Sequence, residues 1–371
     1  MQKFDSFPIY LTEDDFVEFW YQYFQDHPQQ QGQHIQLYIH YPWCRQICKF
    51  CVFGQCKQSD YKDIIPEYEE AMIRQLDKLN KIFFNHVCPS SIYFGGGTAS
   101  LWTPEAMGRI AKTIFCYHRI DYKEAELHPA DINPDILKLY TDTMDFDRVS
   151  IGIQSFDRKI NLSQNRYQPN IDSLRFDIRY LQEREVDVNI DLIAFSSWDI
   201  FRKDLDITAD IIQPNSIFAE PNFKSENFYQ DSIRFRSILG QFLHDHPEYS
   251  ITNKDALSTS YEDIICYRDL PYEMIMTALI DTETSVSDFI QARKDEIIIG
   301  VGGINDFTAY SKTPDGFYIN AKYLPREKEF IYTLTKHDKF REISPSDEND
   351  LYNTRVQVGS YTIAPPKRIS E

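Results

Sequence analysis

Positive charge is in short supply: 39 Lys and Arg face 57 Asp and Glu among 371 residues, a formal net charge of −18. Unspecific phosphate binding needs clustered Lys and Arg, so the balance argues against a general nucleic-acid or anionic-membrane surface while leaving room for a small basic pocket. No apolar run approaches the length of a membrane span, and with 42% hydrophobic residues the chain reads as soluble and globular. Residues 1–5 lack the basic-then-apolar pattern of a secretory signal, so a reducing cytoplasm is the expected compartment.

Cysteine is sparse too. Seven in 371 is an odd count, which argues against a disulfide framework. A four-ligand zinc site commonly uses two cysteine pairs, and no second pair follows the first cluster. That cluster is nevertheless the most informative segment: Tyr38-Ile39-His40-Tyr41-Pro42-Trp43-Cys44-Arg45-Gln46-Ile47-Cys48-Lys49-Phe50-Cys51. The spacing Cys-x3-Cys-x2-Cys supplies three thiolates from one loop, enough for three irons of a cubane cluster with the fourth iron open to a ligand. From spacing alone, zinc and three inert core thiols stay open as alternatives. Cys56 reads as a loop thiol, and Cys88, Cys116 and Cys266 as isolated packing residues.

Short β-like runs at residues 36–41, 91–94, 124–127, 148–153, 186–193 and 216–219 alternate with helical patterns. Tyr68, Met72, Leu76 and Leu79 recur at helical spacing after Pro66, as do Ile171, Leu174, Ile178 and Leu181. Alternating βα units predict a parallel sheet curled into a full or partial barrel, with functional groups at the carboxyl ends of its strands. The cysteine loop falls just after the first such strand. Residues 297–299 and the following Gly300-Val301-Gly302-Gly303 predict one more strand and a tight turn. The 24 tyrosines and 26 phenylalanines suit either a core or an aromatic substrate site.

A second signal is Ile92-Tyr93-Phe94-Gly95-Gly96-Gly97-Thr98, a hydrophobic strand ending in bare backbone that a ligand can approach closely. With Ser150-Ile151-Gly152-Ile153-Gln154-Ser155-Phe156 and Asn189-Ile190-Asp191-Leu192-Ile193, these motifs stand in the order seen in one family. The chain resembles the radical S-adenosylmethionine (SAM) enzymes of the HemN/HemW-like branch, which contains the oxygen-independent coproporphyrinogen III dehydrogenase, haem chaperones and class C methyltransferases. The resemblance covers residues 37–223.

It implies an α/β fold: a partial (β/α)6 TIM-like barrel over residues 36–223, an N-terminal arm over 1–35, and an α+β C-terminal extension over 224–371 that covers the substrate. It also implies that Cys44, Cys48 and Cys51 bind a [4Fe–4S] cluster, whose open iron takes the amino and carboxylate groups of SAM. Reductive cleavage then gives a 5′-deoxyadenosyl radical. By the same resemblance, Gly95, Gly96, Gly97 and Thr98 hold the methionyl amino group, Glu126 and Gln154 contact SAM, Arg166 pairs with its carboxylate, and Asp191 accepts from a ribose hydroxyl. Tyr38, Ile193 and the backbone around Phe50 and Val52 match positions near a second SAM, with Tyr38 the catalytic candidate and plain barrel packing the alternative for Tyr38 and Ile193.

Departures narrow the reaction. Phe53 stands where the coproporphyrinogen enzyme has a fourth cysteine, and Ala194-Phe195-Ser196-Ser197-Trp198 replaces the usual Gly-Leu-Pro turn after Asp-Leu-Ile. The haem chaperones' Arg-His-Asn segment has no counterpart in residues 258–296. C-methylation or a related radical modification of an aromatic or tetrapyrrole-like small molecule is therefore the narrow expectation. Porphyrinogen oxidative decarboxylation and a haem-binding role, with His34, His40, His86, His118 or His128 as axial ligands, are the alternatives. A reducing donor such as flavodoxin or ferredoxin is the expected partner.

Overall fold

The computed structural model describes residues 8–28, 35–51, 56–85, 89–115, 120–195, 197–222, 225, 228–251, 278–281, 297–304, 307–336, 356–358 and 361–363. Cys88, Cys116, Cys266, Val52, Phe53, Ser196, His34, His86, His118 and residues 258–277 and 282–296 lie outside them.

Residues 8–28 form a strand and a helix, β1 (Ile9–Leu11) and α1 (Glu13–Asp26). Thr12 and Asp15 cap α1 reciprocally, each side chain accepting from the other's backbone N–H. Its Phe16, Phe19, Trp20, Tyr23 and Phe24 fall on one helical face, and all are buried.

The barrel segment alternates as its hydrophobic pattern requires: β2 (Ile35–Tyr41), α2 (Ile65–Asn85), β3 (Ser91–Gly96), α3 (Pro104–Phe115), β4 (Tyr122–Leu127), α4 (Pro134–Lys138) and β5 (Arg148–Gln154), then α5 (Arg158–Ser163), α6 (Ile171–Gln182), β6 (Asp187–Ala194), α7 (Trp198–Ile207) and β7 (Ser216–Pro221). Every residue of β2 is buried, as expected for a parallel strand covered on both faces. Consecutive strands β2 to β7 pair in parallel, and all six expected strands are present within two residues of their predicted bounds.

Beyond these come α8 (Phe228–Asp245), β8 (Ser250–Ile251), β9 (Ala278–Asp281), β10 (Ile297–Ile304), β11 (Phe307–Lys312), β12 (Phe317–Leu324) and β13 (Glu329–Lys336). The expected late strand is β10, but Gly300, Gly302 and Gly303 lie within it rather than in a turn. It pairs in parallel with β2, Gly300 opposite Tyr38, so it extends the parallel array on the side away from β3. A Tyr68 hydroxyl from α2 fastens the junction, donating to the His40 carbonyl at 2.6 Å and accepting from the Gly303 N–H at 2.9 Å.

The result is one 13-stranded sheet in the order β1-β13-β12-β11-β10-β2-β3-β4-β5-β6-β7-β9-β8. It is an open, partial TIM-like barrel flanked by antiparallel strands. Phe16 of α1 stacks on Tyr332 of β13 at 3.9 Å, seating the N-terminal helix on the C-terminal meander. Among the described residues, no helix is long and apolar enough to cross a membrane.

Candidate active site

The cysteine loop leaves the carboxyl end of β2 and is held from two sides. On one, the Cys44 N–H donates to the Cys56 carbonyl at 2.9 Å and the Gln58 N–H to the Cys44 carbonyl at 2.8 Å. On the other, the Lys49 N–H donates to the Gln164 carbonyl at 3.0 Å, Gln46 Nε2 to the Asn165 carbonyl at 2.8 Å, and Asn165 Nδ2 to the Ile47 carbonyl at 2.8 Å. Cys48 is buried, while Cys44 and Cys51 are half-buried. Burial pushes the Cys44 thiol up to about 12, against a hydrogen bond from Thr98, and Cys51 and Cys48 add to the rise while Arg166 opposes it. Thr98, Cys51, Cys48 and Arg166 thus all act on Cys44.

Among the described residues, no three His, Cys, Asp or Glu side chains converge tightly enough to hold a single metal ion. A cubane takes each thiolate on a different iron, so its sulfurs stand further apart than the ligands of one ion, and an open trio suits it. A thiol held protonated by burial is also one that a cation must displace a proton to reach, as iron does.

The glycine turn packs directly under this loop. Gly96 has φ +119°, and a Cβ there would lie 2.6 Å from the Tyr41 carbonyl oxygen, so only glycine fits. The Gly97 N–H donates to the same carbonyl at 2.7 Å. Glu126, one residue from the end of β4, accepts from the Tyr93 hydroxyl at 2.6 Å, and its backbone carbonyl accepts from the Tyr140 hydroxyl at 3.0 Å. Tyr93 lies against Tyr38, ring centroids 5.7 Å apart, and Tyr38 shares a 2.7 Å hydrogen bond with His40 Nδ1. Burial lowers His40 to about 3, so its ring is neutral.

Three further residues meet over Gly152. A Cβ on that glycine would lie 2.8 Å from Arg166 Nη2, 2.9 Å from Gln154 Nε2 and 3.8 Å from Asp191 Oδ2. Gln154 reaches this place through a register irregularity between Gly152 and Gln154 in the β5–β6 pairing, at a φ of +71°. Asp191 Oδ1 accepts from Ser150 Oγ at 2.8 Å and from Asn189 Nδ2 at 2.6 Å, which leaves Oδ2 facing the group over Gly152. Burial raises Asp191 to about 6, with Ser150, Arg148, Arg166 and Asn189 opposing the rise. Arg166 donates to the Gly152 carbonyl and, at 3.6 Å, to Cys48 Sγ, while its buried Nε has no partner among the described residues. A guanidinium held by one edge with a buried donor to spare is suited to a carboxylate.

The structure therefore joins Cys44, Cys48, Cys51, Thr98, Arg166, Gln154 and Asp191 at one end of the sheet. Gly95, Gly96, Gly97 and Glu126 line the neighbouring strand ends. Ile193 is buried in β6, and Phe50 packs edge-on against Phe195 at 5.5 Å, tying the cysteine loop to the end of that strand. His128 is half-buried, its Nδ1 accepting from the Ala130 N–H at 3.1 Å; desolvation and the nearby Arg166 and Arg45 lower it to about 2. Sequence reasoning missed Tyr93, Ser150 and Asn189. Two-residue alternation along β3, β5 and β6 puts them on the same faces as Gly95, Gly152 and Asp191, which is the signal that was available.

No family model matches the chain. It is 25% identical over 170 residues to the oxygen-independent coproporphyrinogen III oxidase of Pseudomonas aeruginosa, covering 44% of this chain and 36% of that one. The haem chaperone HemW of Haemophilus influenzae is 33% identical over 132 residues, 33% of each chain. HemW of Buchnera aphidicola is 28% identical over 333 residues, 83% of this chain and 81% of that one. The solved structure of coproporphyrinogen III oxidase (HemN) from Escherichia coli, described as a radical SAM enzyme, superposes with a TM-score of 0.60. It is 16% identical and covers 88% of this chain and 76% of that one, which shows a shared fold.

The chain is a relative of the HemN/HemW-like branch of radical SAM proteins. It spans about a third of the length of the first coproporphyrinogen oxidases it matches. In this chain the cysteine loop, the glycine turn and the group over Gly152 occupy the carboxyl ends of the parallel strands, the end on which αβ barrels build their sites.

Proposed function

We propose that the chain is a radical SAM enzyme, with Cys44, Cys48 and Cys51 holding a [4Fe–4S] cluster and SAM lying between the Gly95-Gly96-Gly97-Thr98 turn and the group over Gly152. The observation that carries this reading is the Arg166 guanidinium, which reaches both the Cys48 sulfur and the Gly152 carbonyl and so joins the metal-binding loop to the polar group. When bound and reduced, the cluster and SAM supply a 5′-deoxyadenosyl radical that abstracts hydrogen from carbon. The residues supply the rest: Arg166 pairs with the SAM carboxylate, Asp191 Oδ2 accepts from a ribose hydroxyl, Gln154 donates to SAM, the Gly95–Thr98 turn holds its amino group, and the tyrosine-held Glu126 contacts the same molecule. Tyr38 is buried against the rings of Tyr93 and Tyr310, at 5.7 and 6.2 Å, on that side of the site.

The substrate class is an aromatic or tetrapyrrole-like small molecule, and the narrow reading is C-methylation with Tyr38, Ile193 and Phe50 bordering a second SAM. Phe53 in place of the fourth cysteine supports methylation over decarboxylation. The names of the relatives favour the second reading, porphyrinogen oxidation.

Anaerobic reconstitution should load about four irons per chain, and Cys48→Ala should lose them. A full cluster in that variant would overturn the cluster assignment. A single reduced turnover, analysed for 5′-deoxyadenosine, methionine and S-adenosylhomocysteine, separates the reactions, because the last forms only when a methyl group moves. Its absence beside abundant 5′-deoxyadenosine sinks methylation and leaves oxidation.

A further inference from the structure

The chain's acidity has one local reversal, and it surrounds the thiols. Residues 44–58 and 158–166 together hold six cations (Arg45, Lys49, Lys57, Arg158, Lys159 and Arg166) and no Asp or Glu. At the chain's own frequency, 57 acids in 371 residues, these 24 positions would carry about four acids. The two segments are far apart in sequence but adjoin in the fold, joined by the Lys49–Gln164, Gln46–Asn165 and Asn165–Ile47 hydrogen bonds.

Five of the six cations are exposed: Arg45, Lys49, Lys57, Arg158 and Lys159. Arg166 faces inward to Cys48 and is enough to compensate a thiolate there. The other five face water, where charges do little for a buried sulfur and much for an approaching protein. The flanking acids are Asp60, exposed three residues after Lys57, Asp157 and Asp131. Asp157 caps α5 by accepting from the Ile160 N–H at 2.9 Å, and Asp131, 2% exposed, pairs with Arg45, which stays 60% exposed. Two large apolar side chains in or next to the second segment are also exposed, Leu162 at 63% and Tyr167 at 42%.

We infer that this face, formed by the cysteine loop and α5, docks a small acidic one-electron carrier protein that reduces the cluster. The inference rests on the cluster chemistry proposed above, which needs an electron from outside, and it adds where the donor binds and by what charge. A chain of net charge −18 repels an acidic carrier as a whole, so the basic face both attracts the donor and orients it toward the thiols. A small patch with an exposed rim fits a weak, fast-exchanging encounter.

The probe is a small acidic FMN flavodoxin, titrated against the reconstituted 371-residue chain and against its Arg158→Glu/Lys159→Glu variant at low and high salt. Neither residue belongs to the cluster or SAM site. The double variant should bind flavodoxin about tenfold or more weakly at low salt, the difference should shrink at high salt, and iron content and cluster reduction by dithionite should match the wild type. Lys159→Glu alone should give an intermediate loss. Arg184→Glu, an exposed charge reversal in the α6–β6 turn at the opposite end of the barrel, should leave affinity unchanged. Equal affinity of the wild type and the double variant, or an equal loss in Arg184→Glu, would overturn the docking face. Failure of the wild type to bind iron would sink the cluster reading instead, with flavodoxin affinity still judging the surface.

Discussion

Arg166 spans two parts of the site at once, donating through one Nη to Cys48 Sγ at 3.6 Å and through the other to the carbonyl of Gly152. Its position therefore couples the cysteine loop, which follows β2, to the end of β5. A charge-assisted fork onto a carboxylate contributes about 1.5–3 kcal/mol more than no contact, and lysine cannot reproduce the fork. Arg166→Lys should weaken SAM binding about tenfold to a hundredfold while the three cysteines retain iron. Equilibrium dialysis of labelled SAM with the reconstituted protein measures this, and unchanged affinity would remove Arg166 from the site.

Gly152→Ala separates site geometry from stability. The added methyl would crowd Arg166 Nη2 and Gln154 Nε2, both far ends of flexible side chains that can swing aside. The thermal midpoint should move by no more than a few degrees, corresponding to about 1 kcal/mol or less. SAM affinity should nevertheless drop by about tenfold, because the side chains that yield are those that hold the ligand. A large fall in melting temperature with intact binding would show that Gly152 serves packing alone.

Much of the barrel was legible because apolar residues recur at every second position of its strands, Ile35, Leu37, Ile39 and Tyr41 in β2 and Val149, Ile151 and Ile153 in β5, with the motifs at their ends. The expectation of a tight turn at Gly300–Gly303 failed because glycine there answers to close approach: Gly303 must bring its N–H to the Tyr68 hydroxyl, a residue 235 positions away that no local pattern reveals. The strands β12 and β13 do alternate buried and half-buried residues, but the half-buried positions include Tyr318, Leu324 and Ile331, which blur the period-two signal. Tyr93 escaped notice for a related reason. Its hydroxyl matters through Glu126 on a neighbouring strand, and strand pairing is not written in either residue.

That contact yields its own test. Tyr93→Phe keeps the ring against Tyr38 and removes the 2.6 Å hydrogen bond to Glu126. The fold should survive with a loss of about 1 kcal/mol, while SAM affinity falls by about fivefold to tenfold as Glu126 loses its anchor. Tyr93→Leu should lose more stability than Tyr93→Phe, since it also gives up the aromatic contact. If Tyr93→Phe binds SAM as the wild type does, Glu126 does not depend on the phenol for its orientation.

Asp204 gives the fold a pH dependence away from the cysteines. It is buried in α7 and accepts from Ser155 Oγ at 2.6 Å and from the Phe156 N–H at 2.9 Å, fixing the turn that follows β5. Burial raises it to about 6; the two hydrogen bonds oppose the rise and nearby Asp157 adds to it. A carboxyl raised in the folded state binds its proton more tightly there than in the unfolded chain, whose value is near 3.8. Its contribution to stability is thus fullest below pH 3.8 and declines as pH climbs through 6. Asp204→Asn does not titrate in that window. The stability of wild type relative to the variant should fall by on the order of 2 kcal/mol between about pH 4 and pH 6.5, read from urea midpoints at constant ionic strength. A difference that stays flat across the window, or one that grows with pH, would mean that Asp204 is ionised in the fold and that its two donors, rather than its burial, set its charge.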